Sequence, residues 1–451
     1  MAISAPGIGS NIDVNGIVTQ LMSLERQPLN VLNTKVSQYN SQLSAYGQLK
    51  SDLSAFQTAA YALSTSTGFS VFKATAADTT ILNATASSTA SVGAYNITVG
   101  TMAASQQLVS NATTLPLTDS NTTAVGTGTL TLASGTSSFA VTIDGTNNTL
   151  DGIASAINSS TSNFGVTASV MFDGTNYRLM LSANKTGVAN AMTVSVVDSD
   201  GNNTDTLGLS RLSYTAGGFN LTQSQAAVDA ALTVNNVAVT SASNMVTSVI
   251  NGVTLNLTKL GTTNVTVASD TAAITDKVNS FISAYNKLNT DIKSLHQKGG
   301  TLEGENSVLT IQSRLASVFN SPATITGGAY NYLAQVGVSL QKDGSLALNG
   351  TDFSSALSSN FNSVVALFSD TTQGFAQRFN TEASNLLQTD GVIAATTDGI
   401  SASISRLSTQ QDQMQTRLTL TEQRLRSQFA SLDALLGSMR QTNSYLVQRL
   451  G

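Results

Sequence analysis

Ile8-Gly-Ser-Asn-Ile-Asp-Val-Asn-Gly-Ile-Val-Thr-Gln-Leu-Met-Ser-Leu-Glu-Arg-Gln-Pro-Leu29 places Ile17, Leu21 and Leu24 four and three residues apart. That spacing puts them on one helical face. Pro28 lacks an amide proton and disfavours a helical Gln27, so a break or kink is expected there. A second helix then carries Leu32, Val36, Tyr39, Leu43, Tyr46, Leu49, Leu53, Phe56, Ala60 and Leu63, a heptad stripe with one short step. The Ser-Thr-Ser-Thr-Gly run at 64–68 ends it. The other end of the chain carries a matching stripe: Ile400, Ile404, Leu407, Gln411, Met414, Leu418, Thr421 and Leu425. One extra step of four shifts the frame, which continues through Phe429, Leu432, Leu436, Met439, Asn443 and Leu446. Such a stutter locally unwinds a left-handed supercoil. Six of the eleven arginines lie here, with only three acids. The segment is a basic amphipathic helix of roughly 50 residues, about 75 Å long. Two narrow-striped helices at opposite ends suggest termini that pair antiparallel and assemble with further copies of the chain.

Between these ends the pattern changes. From about Lys73 to Ser269, segments such as Ala94–Val99, Phe139–Ile143, Tyr177–Leu181 and Met192–Val196 alternate apolar and polar residues, the period of a strand. Asp144-Gly145, Asp173-Gly174 and Asn251-Gly252 suit the positive φ angles of tight hairpins. Leu150 to Ile157 reads as a short helix on one of the sheets. The strand-rich middle is expected to form about two compact units, with junctions at Gly217-Gly218 and in the polar stretch 110–128. Helices return after Asp270-Thr271, good N-cap types. Ile274, Val278, Phe281, Tyr285, Leu288, Ile292 and Leu295 step alternately by four and three, a bundle or coiled-coil seam stopped by Gly299-Gly300. Further helices are expected at 305–319, 352–368 and 374–388, with a hairpin from Val336 to Leu348 around Asp343-Gly344.

Composition narrows the function classes. The 451 residues suffice for two to four domains, and only 10% are charged, with a net charge of −5. The electrostatic footprint of a nucleic-acid binder is missing. With no cysteine, a disulfide scaffold, a thiolate metal site and a thiol nucleophile are excluded. No run of about 18 apolar residues marks a membrane span, and no basic and apolar leader marks a cleaved signal. The chain is therefore expected to be cytosolic or exported by a route that needs no cleaved signal.

Candidate chemistry is sparse. His296 is the only histidine, which excludes histidine dyads and multi-histidine metal sites. Its place at a helix C-terminus reads as a solvated end residue favoured by the helix dipole. Asp198-Ser-Asp200-Gly-Asn-Asn-Thr-Asp205 has its glycine at the wrong position for an EF-hand and lacks the closing glutamate, so it reads as a polar turn. Acids in the strand region mostly sit beside glycine in turns, a poor basis for paired catalytic carboxylates. The basic C-terminal helix could bind an anionic membrane surface, be a plain solvated face, or pair with helices; its narrow stripe favours pairing.

The N-terminal run resembles the bacterial flagellar filament cap proteins, the type 2 hook-associated family. Gly9-Ser10, Ile12-Asp13, Leu21-Met22, Glu25-Arg26 and Pro28-Leu29 carry the match. Others follow in order: Gly93–Val99 with Ala103 and Gln106, Asp229, Ser243-Asn244 and Ile250–Leu255. Phe281, Ala284-Tyr285-Asn286 and Leu288 fit the central helix, and Val336–Val338, Asp343–Leu346, Phe353, Ala356-Leu357 and Leu367-Phe368 fit the hairpin and helix after it. Asp151–Asn158 looks like the family's short helix between strands.

The resemblance implies an α+β multidomain, non-enzymatic assembly protein without cofactors or metals. It implies a secreted protein at the distal tip of the flagellum, forming a homo-oligomeric ring: a pentamer first, with tetramer or hexamer as alternatives. Expected partners are flagellin, hook–filament junction proteins and a dedicated cytosolic export chaperone. Flagellin would fold beneath the ring, which would also prevent its loss. Four parts are expected: a terminal helical leg (1–38 with 405–451), a helical bundle with a β-hairpin (39–76 with 271–404), a β-rich head (77–120 with 225–270) and an inserted outer head (121–224). The N-terminal assembly residues would be Ile12, Ile17, Leu21, Met22, Leu24, Pro28 and Leu29. The C-terminal seam would be Ile404, Leu407, Met414, Leu418, Leu425, Phe429, Leu432, Leu436 and Met439. The alternative is a surface adhesin, or another hook-associated or filament subunit, whose Ser/Thr/Asn-rich β domains bind a host ligand.

Overall fold

The computed structural model describes residues 13–216 and 218–450, so Ile12 and Gly217 lie outside the described residues. In chain order, α1 (Val14–Glu25), α2 (Gln27–Tyr61) and the single turn α3 (Ser66–Phe69) precede β1 (Phe72–Ala76), β2 (Leu82–Ala86) and β3 (Gly93–Thr101). Then come β4 (Ser105–Ser110), β5 (Gly128–Ser134), β6 (Ser137–Ile143), α4 (Leu150–Ser159), β7 (Val166–Phe172), β8 (Tyr177–Thr186) and β9 (Met192–Asp198). β10 (Tyr214–Thr215), β11 (Gly218–Phe219), β12 (Leu221–Gln225), β13 (Ala230–Val234) and β14 (Val237–Ser241) follow. β15 (Met245–Ile250), β16 (Val253–Leu257) and β17 (Gly261–Ser269) complete the strand region. Helices resume with α5 (Thr271–His296) and α6 (Asn306–Asn320), then the hairpin β18 (Val338–Leu340) and β19 (Leu346–Leu348). α7 (Gly350–Ser369), α8 (Phe375–Leu387) and α9 (Val392–Leu450) end the chain. The architecture is α+β and multidomain.

Two compact units result, one helical (up to Phe69 and from Thr271 on) and one strand-rich (Ser70–Asp270). In the helical unit, the Asp13 carboxylate accepts the Gly16 amide at 2.8 Å and starts α1. The break expected at Pro28 is a one-residue junction at Arg26, which keeps helical dihedrals. Pro28 sits in the first turn of α2, where no intrahelical partner requires its missing amide. The heptad stripe of α2 and the seam of α5 meet in an aromatic core. Phe56 lies 5.3 Å from Phe281, 5.6 Å from Tyr285 and 5.5 Å from Phe379, centroid to centroid. Leu295, at the end of the α5 seam, is only half-buried.

The strand-rich unit holds two separate cores. Sheets ordered β1-β17-β3-β13-β14 and β15-β16-β2 bury Ile97, Val99, Leu232, Leu255, Val265 and Val267. Sheets ordered β11-β10-β9-β5-β6 and β12-β4-β8-β7, with α4, bury Leu130, Leu132, Ile153, Ile157, Leu181 and Val194. Strand alternation is what sorts these sides; β9 turns Met192, Val194, Val196 and Asp198 inward and the residues between them out.

Three sequence expectations need correction. The polar stretch 110–128 is no junction, because Leu115, Leu117 and Val125 insert into the second core. Asp144-Gly145 does not close a hairpin: β6 runs on into α4, and the dipeptide forms an Asx turn through Thr146 and Asn147. His296 is half-buried, and its Nε2 is buried with no hydrogen-bond partner among the described residues, so it is not a fully solvated end residue. Hairpins also form at turns that the three dipeptides do not mark, β5–β6 and β13–β14 among them. β13 and β14 join through Asn235-Asn236, both with positive φ (47° and 67°), the requirement of the two-residue primed turn.

Candidate assembly surface of the terminal helices

α9 runs 59 residues, starting at Val392 rather than near Ile400. It lies antiparallel to the N-terminal helices. Gln411 Nε2 donates to Asn33 Oδ1 at 2.7 Å, and Arg426 donates to Asn15 Oδ1 at 3.0 Å. Arg26 stands 4.0 Å from Glu422, which also accepts from Arg426 at 2.9 Å. These pairs are exposed, so they set register more than they stabilise.

Apolar packing fixes the pair. Val14, Val18 and Met22 bury against Leu418, itself 3% exposed, with Leu29, Met414, Leu425 and Phe429 packed around them. Ile404 and Leu407 are half-buried on the same seam, which continues through the stutter at Leu425. Farther on, Leu436 is half-buried, while Leu432 and Met439 are exposed, Met439 at 60%. Of the N-terminal residues named from sequence, Met22 packs within the chain and Ile17, Leu21 and Leu24 face outward, Leu24 being 63% exposed. Helix α1 is apolar on more than one face, and α9 can cover only one of them. The covered row, Val14–Val18–Met22, steps by four as the outward one does, so spacing alone does not tell the two apart. Leu420, Leu435, Tyr445 and Val447, also exposed on α9, were missed because they lie off the heptad seam.

Just past the junction of α1 and α2, the helices α2 and α9 leave an open groove. A cavity of about 630 Å³ is lined by Pro28, Val31, Leu32, Gln413, Met414 and Arg417. It shares Gln410 with a second cavity of about 410 Å³ bordered by Lys35, Tyr39, Arg406 and Leu407. The lining combines Pro28, Val31, Leu32, Tyr39, Leu407 and Met414 with three cations and several amides, and no carboxylate is among the lining residues.

Among the described residues, no group of three or more His, Asp or Glu could hold a metal, and no helix is long and apolar enough to cross a membrane. The Asp198 loop is tied by its own groups: the carboxylate accepts the Ser210 amide at 2.7 Å, and Asn203 Oδ1 accepts the Asp198 amide at 2.8 Å.

Fold and surface together define an α+β multidomain protein whose two ends meet in one helical pair, with a β-rich segment between them in sequence. The chain belongs to the flagellar hook-associated protein 2 family: models of that family's N-terminus and C-terminus match residues 10–106 and 227–441. A flagellin hook IN motif matches residues 129–185. The chain is 33% identical over 473 residues to flagellar hook-associated protein 2 of Escherichia coli strain K12, covering 99% of this chain and 98% of that one. It is 30% identical to B-type flagellar hook-associated protein 2 of Pseudomonas aeruginosa, covering 100% and 98%. The crystal structure of the flagellar cap protein FliD D1-D2-D3 domains from Escherichia coli matches with a TM-score of 0.66 and 33% identity, over 79% of this chain and 99% of that one.

Proposed function

We propose that this chain caps a bacterial flagellar filament as a ring of identical subunits, a pentamer first and a tetramer or hexamer as alternatives. The ring promotes folding and polymerisation of flagellin beneath it and keeps exported flagellin from being lost. Family membership supports the cap over the adhesin reading. The observation that carries it is the apolar surface left open on both terminal helices: Ile17, Leu21 and Leu24 on α1, and Leu432, Leu435, Met439, Leu446 and Val447 on α9. Exposed rows of this size call for a partner, and a helical row recruits another helix or a filament end. No catalytic role is assigned to any residue.

The division of labour follows the four expected parts. The small core of Val14, Val18, Met22 and Leu418 supports a separate leg, and the two β cores support an inner and an outer head. In this reading the legs attach to the filament and to the hook–filament junction proteins. The chain reaches the tip by export, unfolded, after an export chaperone has covered the apolar end of α9 in the cytosol. Deleting residues 1–30 or 420–451 should leave the strand-rich unit folded yet abolish filament growth. Filaments of normal length from either truncation would remove the reading. Electron microscopy of the purified full chain, counting subunits per ring, decides among the stoichiometries.

A further inference from the structure

A closed ring of identical subunits needs two different, mutually complementary patches on every copy, because head-to-tail contacts are heterologous. The terminal helices carry such a pair. On α1 and its cap, Asp13, Ile17, Leu21 and Glu25 recur at steps of four with Leu24 beside them, an aliphatic row closed by a carboxylate at each end. The row spans about 18 Å at 1.5 Å per residue. The α2–α9 groove has the opposite character: it is lined by Val31, Leu32 and Met414, with Arg417 at one end and Lys35 and Arg406 toward the other. From Arg406 to Arg417 the rim extends about 17 Å along α9. Glu25 and Arg417 have no ion-pair or side-chain hydrogen-bond partner among the described residues, whereas Asp13 is already engaged in capping α1.

We propose that the outward row of α1 from one copy docks into the α2–α9 groove of the next, with Leu21 and Leu24 in the larger cavity and Glu25 on the neighbouring copy's Arg417. This rests on the ring reading above and names the surfaces that close it. The orientation follows from charge: the Glu25 carboxylate approaches Arg417. Each copy offers its row to one neighbour and its groove to the other, so the contact propagates until the ring closes.

The chain has no cysteine, so thiols can be placed at will. Full-length Leu24→Cys and Gln413→Cys variants, both at exposed positions, are mixed and oxidised. The expected result is a mixed L24C–Q413C dimer as the dominant cross-link. Adding Glu25→Arg to the first variant cuts its yield about fivefold, as the loss of one exposed ion pair allows, and Arg417→Glu in the second restores it. A dominant L24C–L24C dimer means a symmetric contact and overturns the proposal. So does an intrachain disulfide in an Ala5→Cys/Gln413→Cys variant, which would seat the chain's own first residues in the groove. Oligomers by light scattering without the mixed cross-link reject the docking and keep the ring. Monomers at every concentration reject both.

Discussion

Asp52 is 5% exposed on α2 and is held from two sides. Gln48 Nε2 donates to both its carboxylate oxygens at 3.1 Å, and Lys287 Nζ of α5 stands 3.0 Å away. The same ammonium reaches Asp291 at 2.8 Å. One cation thus serves two acids. Its hydrogen bond holds the Asp291 carboxyl below its ordinary 3.8. A depressed acid pKa means the folded state binds fewer protons, so its stabilisation is full above 3.8 and is lost as the pH falls through the lowered value. The urea midpoint of the full chain should therefore fall on acidification below about pH 4. Lys287→Gln should lower the midpoint at neutral pH, and the gap from the parent should close as the pH falls through the lowered Asp291 value. Parallel curves with no convergence would show that the cation does not act through Asp291. Deeper in the same unit, Phe56 is fully buried against three other rings. Phe56→Ala should cost about 3–5 kcal/mol in urea unfolding, the range for a large core aromatic. A loss below about 1 kcal/mol would mean that neighbouring side chains collapse into the space.

At the scale of elements, the contact of α1 with α9 depends on a short row of side chains. Leu418→Ala removes the buried partner of Val14, Val18 and Met22, a change worth about 2–3 kcal/mol in a tight site. Amides of residues 14–25 should then exchange about thirtyfold faster, while those of α5, held by the separate aromatic core, stay unchanged. Equal exchange in parent and variant would show that α1 is held by something else. The helices themselves were legible because period 3.6 survives in any sequence whose helix packs on one side; the stripe of α2 and the seam of α5 show it. The outward face of α1 was legible as a row but not as the outward one, since Val14–Val18–Met22 competes at the same period and only the partner decides. Strand pairing was less legible. β17 lies between β1 and β3, and β13 on the far side of β3, partners far apart in the chain that no local pattern names. The buried leucines of 111–127 were hidden by polar neighbours, because an irregular segment has no period to reveal its inner side. The groove could not be read at all, since it exists only where α2 and α9 pack side by side, residues far apart in the chain.

On the scale of the whole molecule, the path of the chain makes one unit an insertion in the other. The strand-rich unit begins and ends on adjacent strands: Phe72 pairs with Ser269 at one end of the β1–β17 ladder, and the Asp270 amide donates to Val71 O at 2.8 Å. Paired strands hold opposite residues about 5 Å apart. Leaving and rejoining the helical unit therefore takes almost no length of chain, and each unit owns hydrophobic cores built from its own residues. Loop closure by a tie this short is entropically mild. Residues 70–270 expressed alone should fold into a strand-rich protein with dispersed amide resonances. Joining residue 69 to residue 271 through a short Gly-Ser linker should leave the helical unit folded, with Phe56 still packed on Phe281 and Phe379. Circular dichroism of the two pieces should then add up to the spectrum of the intact chain. A helical piece that melts without the strand-rich unit, or a strand-rich piece that exposes its cores to a hydrophobic dye, would show that the units depend on each other for folding.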